Sequence, residues 1–203
     1  MDSIDYYERY ASAYYENTVE RSMEDMLARF LELLPENADV LDLGCGSGRD
    51  TVALEEAGCY VTPLDGSAQM CRLAEIETDK EVLHMAFAEM DFDEVFDGIW
   101  ACASLLHVPS TEMDDIMRKV MNALVPGGIL YMSFHYGEQE EYRNGRLFHD
   151  FTEESISEVL EKQADARILD LWVTEDVQGR DGNKWLNVLV RRLDKEEGGC
   201  EDE

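Results

Sequence analysis

A glycine-rich segment that begins at Gly44 constrains the fold more than any other part of the chain. Residues 40–50 read V-L-D-L-G-C-G-S-G-R-D. The apolar run that starts at Val40 predicts a buried strand, and the apolar spacing after Gly48 predicts a helix. Glycines permit a tight turn and let the backbone approach a ligand where a Cβ would collide. The helix start directs backbone N–H groups at that ligand, which suits an anionic group.

Strands and helices are predicted to alternate along most of the chain. Apolar runs predict strands at residues 40–43, 60–64, 82–87, 98–104, 129–134, 167–174 and 185–191. Helices are predicted between residues 19 and 34, after Gly48, after Ser67, from Ser110 or Thr111, and after Thr152. The pattern predicts an α/β fold: a Rossmann-like, seven-stranded, mostly parallel sheet with helices on both faces and a C-terminal hairpin that adds an antiparallel strand. Ligands of such sheets bind at the carboxyl ends of the strands.

Asp65 is predicted to bind ribose hydroxyls. It ends the second predicted strand and lies 21 residues beyond Gly44, close to the ~20-residue interval typical of ribose-binding acids. The alternative is a turn former or a helix cap. The spacing and the preceding strand favour ribose binding.

Four segments, in the same order, resemble the class I S-adenosylmethionine-dependent methyltransferases. Residues 40–48 are similar to the family's first motif, and residues 65–70 (D-G-S-A-Q-M) resemble the D-x-S-x-x-M of many small-molecule members. Residues 96–100 (F-D-G-I-W) and 124–128 (L-V-P-G-G) resemble the motifs of the fourth strand and of the turn after the next helix. The resemblance implies S-adenosylmethionine as the cofactor. Nicotinamide dinucleotides are disfavoured because their binding proteins prefer G-x-G-x-x-G.

The resemblance implies a role for each matching residue. Gly44 and Gly46 would lie against the methionine part of the cofactor, and Asp42 would help to place its amino group. Asp65 would bind the ribose. The other implied contacts are Met70, Phe87 and Ala88 at the adenine and Ala101 at the methionine backbone. For Met70 and Phe87, packing in the core is the alternative.

Residues 101–109 would lie where the methyl group is delivered, and they resemble bacterial methyltransferases described as tellurite-resistance-like. Ser104 and His107 are the polar side chains there that are predicted to touch an acceptor. An unperturbed histidine pKa near ~6.5 would suit a general base. The alternative is a loop histidine bonded to a backbone carbonyl. Methyl transfer from a sulfonium also needs no base, since alignment of acceptor and methyl supplies most of the catalysis.

The acceptor site is predicted to draw on the tyrosine-rich N-terminus and on residues 135–151, which are expected to form a polar loop. Tyr7, Tyr10 and Tyr14 follow helical spacing, and they could surround a sulfonium or a cationic acceptor. His135 and Arg146 are candidates in the loop, because basic residues there could bind a carboxylate. Ordinary helix packing and surface ion pairs are the alternatives. Tyr7, Tyr14, His135 and Arg146 are the predicted substrate-binding residues.

Composition limits the partners. The 203 residues include 46 acidic and 17 basic ones, for a formal net charge of −29, which disfavours nucleic acids because phosphate binding needs cations. The N-terminus has no signal-peptide pattern and no apolar run is long enough for a membrane span, so no membrane association and a cytoplasmic location are expected. The five cysteines form no zinc pattern, so no metal is expected.

The sequence therefore predicts methyl transfer to a small-molecule acceptor at O, N or S by in-line displacement. Methylation of a protein or peptide side chain and non-catalytic binding of S-adenosylmethionine are the alternatives. Residues 1–193 are expected to form a single domain whose residues 1–34 are N-terminal helices that act as a lid. Residues 194–203 are expected to be a disordered acidic tail.

Overall fold

The computed structural model describes residues 3–19, 22–176 and 183–194. A seven-stranded sheet has the order β3-β2-β1-β4-β5-β9-β8. Its strands are β1 Asp39–Leu43, β2 Tyr60–Asp65, β3 Leu83–His84, β4 Phe96–Ala101, β5 Leu124–His135, β8 Ala166–Glu175 and β9 Lys184–Arg192. A separate two-stranded ribbon joins β6 Glu140–Arg143 to β7 Arg146–His149. The described helices are α1 Ser3–Thr18, α2 Glu24–Leu31, α3 Arg49–Glu56, α4 Ala68–Thr78, α5 Ser110–Ala123 and α6 Glu153–Glu161.

The sheet confirms the predicted fold class. Strands β1 to β5 pair in parallel, and β9 is antiparallel to both of its neighbours, β5 and β8. The chain moves outward from β1 through β2 to β3 and then returns to β4 on the other side of β1. A doubly wound sheet has its ligand crevice at this reversal, beyond the carboxyl ends of β1 and β4.

Alternate residues of the central strands face opposite sides of the sheet. Leu41, Leu43 and Ile99 pack in a cluster with α5 and α6. On the other side, Val40 and Trp100 pack in a cluster with α2 and α3. Because both faces carry apolar side chains, the strands read as apolar runs, and helices cover them on both sides.

Two helix caps match the sequence predictions. The Ser67 hydroxyl accepts a hydrogen bond from the Met70 N–H at the start of α4. The Thr152 hydroxyl accepts one from the Ser155 N–H at the start of α6. Helix α5 begins at Ser110, as predicted. A side-chain cap thus marks the start of α4 and of α6, whereas α5 follows Pro109 without a side-chain cap.

Several predicted boundaries are wrong. The strand expected at 82–87 has only two residues and is followed by a single 3-10 turn, Phe87–Glu89. The strand expected to reach residue 104 ends at Ala101, and a second 3-10 turn follows at Leu105–His107. Helix α2 stops at Leu31 rather than near residue 34. The two segments with 3-10 turns border the crevice, since Phe87, Ala88, Ser104 and His107 line the first cavity.

The largest correction concerns residues 135–151, which contain the β6–β7 ribbon rather than an irregular loop. Asn144 and Gly145 connect its strands with φ values of 53° and 84°. Two central residues with positive φ form the turn whose twist matches a hairpin, and Asn-Gly is its preferred sequence. The turn of the ribbon is therefore encoded locally, although half of the residues in its two strands are charged.

The remaining expectations about the chain ends are only partly within the described residues. Residues 177–182, which connect the two strands of the predicted C-terminal hairpin, lie outside them, as do residues 195–203 of the acidic tail. No described helix, in residues 3–19, 22–176 or 183–194, is both long and apolar enough to cross a membrane. In the same ranges, no three histidine, cysteine, aspartate or glutamate side chains are grouped so that they could hold a metal ion.

Candidate active site

A cavity of about 370 Å³ lies beyond the carboxyl ends of β1, β2 and β4. Its walls come from the glycine turn after β1, from the end of β2, from the 3-10 turn at 87–89 and from the residues after β4. Of the predicted cofactor residues, those that line this cavity are Gly44, Gly46, Asp65, Met70, Phe87 and Ala88. The predicted cofactor site is thus assembled in one place, and its volume lies in the ~300–1,000 Å³ range of small-molecule pockets.

The glycine turn needs its glycines for two reasons. Gly44 and Gly46 have φ values of 78° and 57°, a region that side chains disfavour. A Cβ on Gly44 would also lie 2.5 Å from the Ser104 Cβ, closer than carbon atoms can pack. The backbone N–H groups of Gly44 and Cys45 both donate to the Leu64 carbonyl, which ties the turn to β2. The turn is therefore fixed against β2 while its cavity side stays free of side chains.

Asp65 connects the glycine turn after β1 to the start of α4. One carboxylate oxygen accepts a hydrogen bond from the Gly46 N–H at 3.0 Å, and the other accepts one from the Ser67 N–H at 2.9 Å. Burial raises the pKa of Asp65, while these backbone bonds act in the opposite direction. A carboxylate has about four acceptor sites, so two remain for hydroxyl donors in the cavity.

Asp42 and Ala101 do not line the cavity. Asp42 is 2% exposed and accepts a 2.6 Å hydrogen bond from the Thr51 hydroxyl, behind the glycine turn. Burial, together with the charge of Asp50, raises its pKa. Ala101 is fully buried at the end of β4, and the lining begins at the next residue, Cys102. In this structure Asp42 supports the turn from behind rather than facing the space in front of it.

A second cavity, of about 710 Å³, adjoins the first. The residues that line both cavities are Tyr7, Tyr14, Cys102, Ala103 and His107. Ala103 has a φ of 53°, and its N–H donates to the Ser133 hydroxyl at 2.9 Å. A non-glycine residue in the left-handed region costs about 1 kcal/mol or more, and such strain clusters at functional sites. The boundary between the cavities therefore has a strained backbone.

His107 is held at this boundary by two hydrogen bonds. Its Nδ1 lies 2.6 Å from the Leu147 carbonyl, and its Nε2 lies 2.8 Å from the Tyr7 hydroxyl. The carbonyl can only accept, so Nδ1 carries the proton and Nε2 accepts from Tyr7. Burial lowers the pKa of His107 to about 4, and the charge of Arg146 acts in the same direction. The predicted bond to a carbonyl is present, and the imidazole is neutral at neutral pH.

Ser104 lies in the first cavity. Its hydroxyl oxygen is buried and, among the described residues, has no hydrogen-bond partner. A buried hydroxyl without a partner costs about 1–3 kcal/mol. A polar ligand in this cavity would remove that cost. Ser104 is therefore placed beside the cofactor half of the site rather than deep in the second cavity.

Helix α1 covers the two cavities and is bonded to α4 and β7. Its Glu8 carboxylate accepts hydrogen bonds from the Ser67 hydroxyl and the Gln69 N–H at the start of α4. At its first residue, the Ser3 hydroxyl accepts from the Leu147 N–H of β7. Tyr7 and Tyr14 line both cavities, and Tyr10, although 50% exposed, lines the second cavity. All three tyrosines of the predicted helical face therefore border the site.

The four predicted substrate-binding residues meet at the second cavity, which Tyr7, Tyr14, His135 and Arg146 all line. His135 stacks on Trp185, with ring centroids 4.2 Å apart. The Arg146 guanidinium lies over the Tyr6 and Tyr7 rings, 4.6 and 5.7 Å from their centroids. The tyrosine face therefore already holds a cation, which argues against its predicted use for a cationic acceptor.

Sequence reasoning missed Arg49. The guanidinium forms 2.6 and 2.7 Å hydrogen bonds with both oxygens of Asp50, and it lines the second cavity close to the glycine turn. Asp50 also accepts a 2.9 Å bond from the Trp100 indole, so the ion pair is fixed to the sheet. An arginine in the first helical turn after a glycine-rich loop is a signal that could have identified this residue.

Comparison with known proteins supports the same interpretation. Residues 41–132 match the family model described as a methyltransferase domain. An uncharacterized methyltransferase of Staphylococcus carnosus is 26% identical over 209 residues, with 94% of this chain and all of that protein covered. The putative methyltransferase YqeM of Bacillus subtilis is 30% identical over 157 residues, with 72% of this chain and 60% of that protein covered.

A similar solved structure is that of a Burkholderia thailandensis 1,6-didemethyltoxoflavin N1-methyltransferase, bound to 1,6-didemethyltoxoflavin and S-adenosylhomocysteine. The TM-score is 0.75 at 24% identity, with 92% of this chain and 86% of that chain covered. This likeness concerns the fold, and the domain match and the relatives concern the reaction. The domain match and the relatives support methyl transfer from S-adenosylmethionine, and the chain shares the fold of a methyltransferase solved with S-adenosylhomocysteine.

Proposed function

We propose that the chain transfers a methyl group from S-adenosylmethionine to a small-molecule acceptor that binds in the second cavity. One observation carries the proposal: two cavities adjoin at Tyr7, Tyr14, Cys102, Ala103 and His107. A cofactor in the first cavity and an acceptor in the second would meet at this boundary. Helix α1 and the β6–β7 ribbon border the space, which favours a small acceptor over a folded protein.

The residues of the first cavity suit the cofactor. The glycine turn leaves room that a Cβ at Gly44 would fill, and the Asp65 carboxylate has acceptor sites left for ribose hydroxyls. Met70 and Phe87 supply apolar walls for an adenine. The orphaned Ser104 hydroxyl provides a further polar contact. Asp42 contributes indirectly, by holding Thr51 behind the turn.

When bound, S-adenosylmethionine supplies a methyl group that is already activated by its sulfonium. The chain's own part is to align the acceptor and to exclude water. Tyr7 and His107 stand at the boundary as a hydrogen-bonded pair. Nε2 of neutral His107 is the basic atom of this pair, and it receives a proton from an O–H or N–H acceptor only if that group displaces the Tyr7 hydroxyl. His107 thus acts first as a positioning residue and as a base only for protic acceptors.

The finer assignments rest on the sequence together with this geometry. The likeness of residues 101–109 to tellurite-resistance-like methyltransferases stays a proposal, as does the lid role of residues 1–34. The Burkholderia enzyme, whose structure contains 1,6-didemethyltoxoflavin, provides a precedent for a small acceptor on this fold. Cytoplasmic location and the absence of a nucleic-acid partner remain predictions from composition.

A labelled-methyl screen tests the proposal. The protein is incubated with methyl-labelled S-adenosylmethionine and either a metabolite extract or a protein fraction, and we expect label in the metabolites. At limiting S-adenosylmethionine, Asp65→Ala should reduce that transfer at least about tenfold. Asp114→Ala, which removes an exposed ion pair with Lys162, should leave it unchanged. Label that enters only the protein fraction would replace the proposal with peptide or protein methylation. Binding of the cofactor without any transfer would indicate a non-catalytic protein.

A further inference from the structure

Arg146 occupies an unusual position for an arginine in such an acidic chain. It is the first residue of β7 and lines the second cavity. Its guanidinium lies over the rings of Tyr6, Tyr7 and Phe148, with its central carbon 4.6, 5.7 and 5.0 Å from their centroids. Its Nη1 donates a 3.2 Å hydrogen bond to the Tyr7 hydroxyl. The group is thus held in one orientation by aromatic side chains.

Within the described residues, no carboxylate pairs with Arg146. The two other arginines of the cavity differ in this respect, since Arg49 pairs with Asp50, and Arg143 pairs with Glu141 and Asp150. The Arg146 Nε is buried and has no hydrogen-bond partner, and its Nη2 donates to no described acceptor. The chain has 46 acidic residues, so the lack of a partner is a feature of the site. A buried N–H of a cation that has no acceptor is costly, and an anionic ligand at Nε would remove that cost.

The free donors have the geometry of a carboxylate site. Nε and Nη2 lie on one edge of the guanidinium, and their parallel N–H bonds match the two oxygens of a carboxylate. On the other edge, Nη1 already donates its hydrogen bond to the Tyr7 hydroxyl. A ligand carboxylate can therefore bind to Arg146 without breaking the contact to Tyr7, which in turn holds His107.

The other charges of the cavity are consistent with this role. His107 and His135 are uncharged at neutral pH, because burial lowers the pKa of both. Glu175 also lines the cavity, but it faces Lys184, 4.0 Å away. The remaining lining carboxylate, Asp176, follows β8 and has interactions of its own. Arg146 is therefore the cation in this lining that is best placed to receive an anion.

We propose that the methyl acceptor carries a carboxylate that binds bidentately to Arg146. The aromatic rings of Tyr7, Phe148 and the stacked His135–Trp185 pair favour an acceptor whose carboxylate is attached to an aromatic or conjugated skeleton. Binding at Arg146 directs the rest of the molecule toward the boundary at His107 and Ala103. This inference rests on the proposed function, because it assigns the substrate class of the same site.

Benzoate and benzamide are suitable probes, since they share a ring and differ in charge. Their binding to the protein saturated with S-adenosylhomocysteine can be followed by ligand-observed NMR titration. We expect benzoate to bind at least about tenfold more tightly than benzamide, because charge-assisted hydrogen bonds to an arginine contribute ~1.5–3 kcal/mol. Arg146→Gln should remove that preference and leave the affinity for S-adenosylhomocysteine within about twofold.

Arg143→Gln is the matched control, because Arg143 belongs to the same ribbon and cavity but is already paired with Asp150. The control should keep the preference for benzoate. Equal binding of the two probes to the parent protein, no binding of benzoate, or a preference that survives Arg146→Gln would overturn the inference. These outcomes leave the proposed function intact as long as S-adenosylhomocysteine binds. Failure of S-adenosylhomocysteine to bind the parent protein would instead refute the proposed function.

Discussion

Replacement of His107 by asparagine should change how stability depends on pH. Burial lowers the pKa of His107 from its usual 6.5 to about 4. Between these values the unfolded chain binds a proton at this residue and the folded chain does not. The free energy of unfolding therefore falls as the pH falls from 6.5 to about 4, and it regains this contribution above 6.5. Asparagine removes the titration and retains a side-chain N–H for the Leu147 carbonyl.

The size of the effect follows from the same pKa values. The two pKa values differ by about 2.5, and a difference of one corresponds to ~1.4 kcal/mol. The free energy of unfolding of the parent protein therefore falls by up to about 3 kcal/mol as the pH falls over this range. The physical cause is the surroundings: protonated Nε2 would face a Tyr7 hydroxyl that already accepts from Arg146. His135 and His149 have pKa values lowered by burial as well, so the parent protein and the variant share their contribution.

Denaturant unfolding at a series of pH values measures this dependence. We expect the stability difference, variant minus parent, to rise as the pH falls from 6.5 to 4. Asp42→Asn provides an internal control of opposite sign, because burial raises the pKa of Asp42 and the folded chain then binds a proton that the unfolded chain lacks. A difference curve for His107→Asn that is flat, or that falls toward acid, would refute the argument from burial.

Four other outcomes are expected. Asp65→Ala should weaken S-adenosylhomocysteine binding by ~1.5–3 kcal/mol in calorimetry, because it removes charge-assisted bonds, and an unchanged affinity would contradict the ribose assignment. Gly44→Ala should destabilise the fold by about 1–3 kcal/mol in denaturant unfolding, because φ is positive at this position and the new Cβ would lie 2.5 Å from the Ser104 Cβ. A variant as stable as the parent would contradict the close packing of the turn. Asn144→Ala should speed amide hydrogen exchange in the β6–β7 ribbon and leave exchange in the central sheet unchanged, because alanine disfavours the φ of 53°. Unchanged exchange in the ribbon would count against the turn type. At moderate salt, gel-shift assays should detect no tight binding of tRNA or duplex DNA to a chain of net charge −29; tight binding that weakens steeply with salt would contradict this.

The accuracy of the sequence predictions depended on how local the signal was. The helix starts after Ser67 and Thr152 follow from the sequence, because each cap and the apolar spacing that follows it lie within a few residues. The start at Ser110 has no side-chain cap, and the apolar spacing alone indicates it. The β6–β7 ribbon was missed even though Asn144 and Gly145 are its turn signal, because its strands lack the apolar alternation used to identify strands.

Side-chain direction decides which of the predicted site residues line the cavity. Asp42, which the resemblance places near the amino group of the cofactor, lines neither cavity and accepts a hydrogen bond from the Thr51 hydroxyl. Arg49 was overlooked, although it lines the second cavity beside the turn. Residues adjacent in sequence can point to opposite faces of a strand or a helix, so spacing identifies the segment and packing decides which side chain faces the ligand.

By itself, the sequence determined the sheet, the glycine turn and the position of Asp65, and with them the first cavity. These features depend on short-range patterns: apolar runs, glycines at positive φ and an acid at the end of the next strand. Only the tertiary structure decided the second cavity. Tyr7, His107 and Arg146 come from three segments: His107 lies 100 positions after Tyr7 in the sequence, and Arg146 lies 139 positions after it. Their hydrogen bonds, the lowered pKa of His107 and the missing carboxylate partner of Arg146 all arise from burial among distant parts of the chain, which no local pattern encodes.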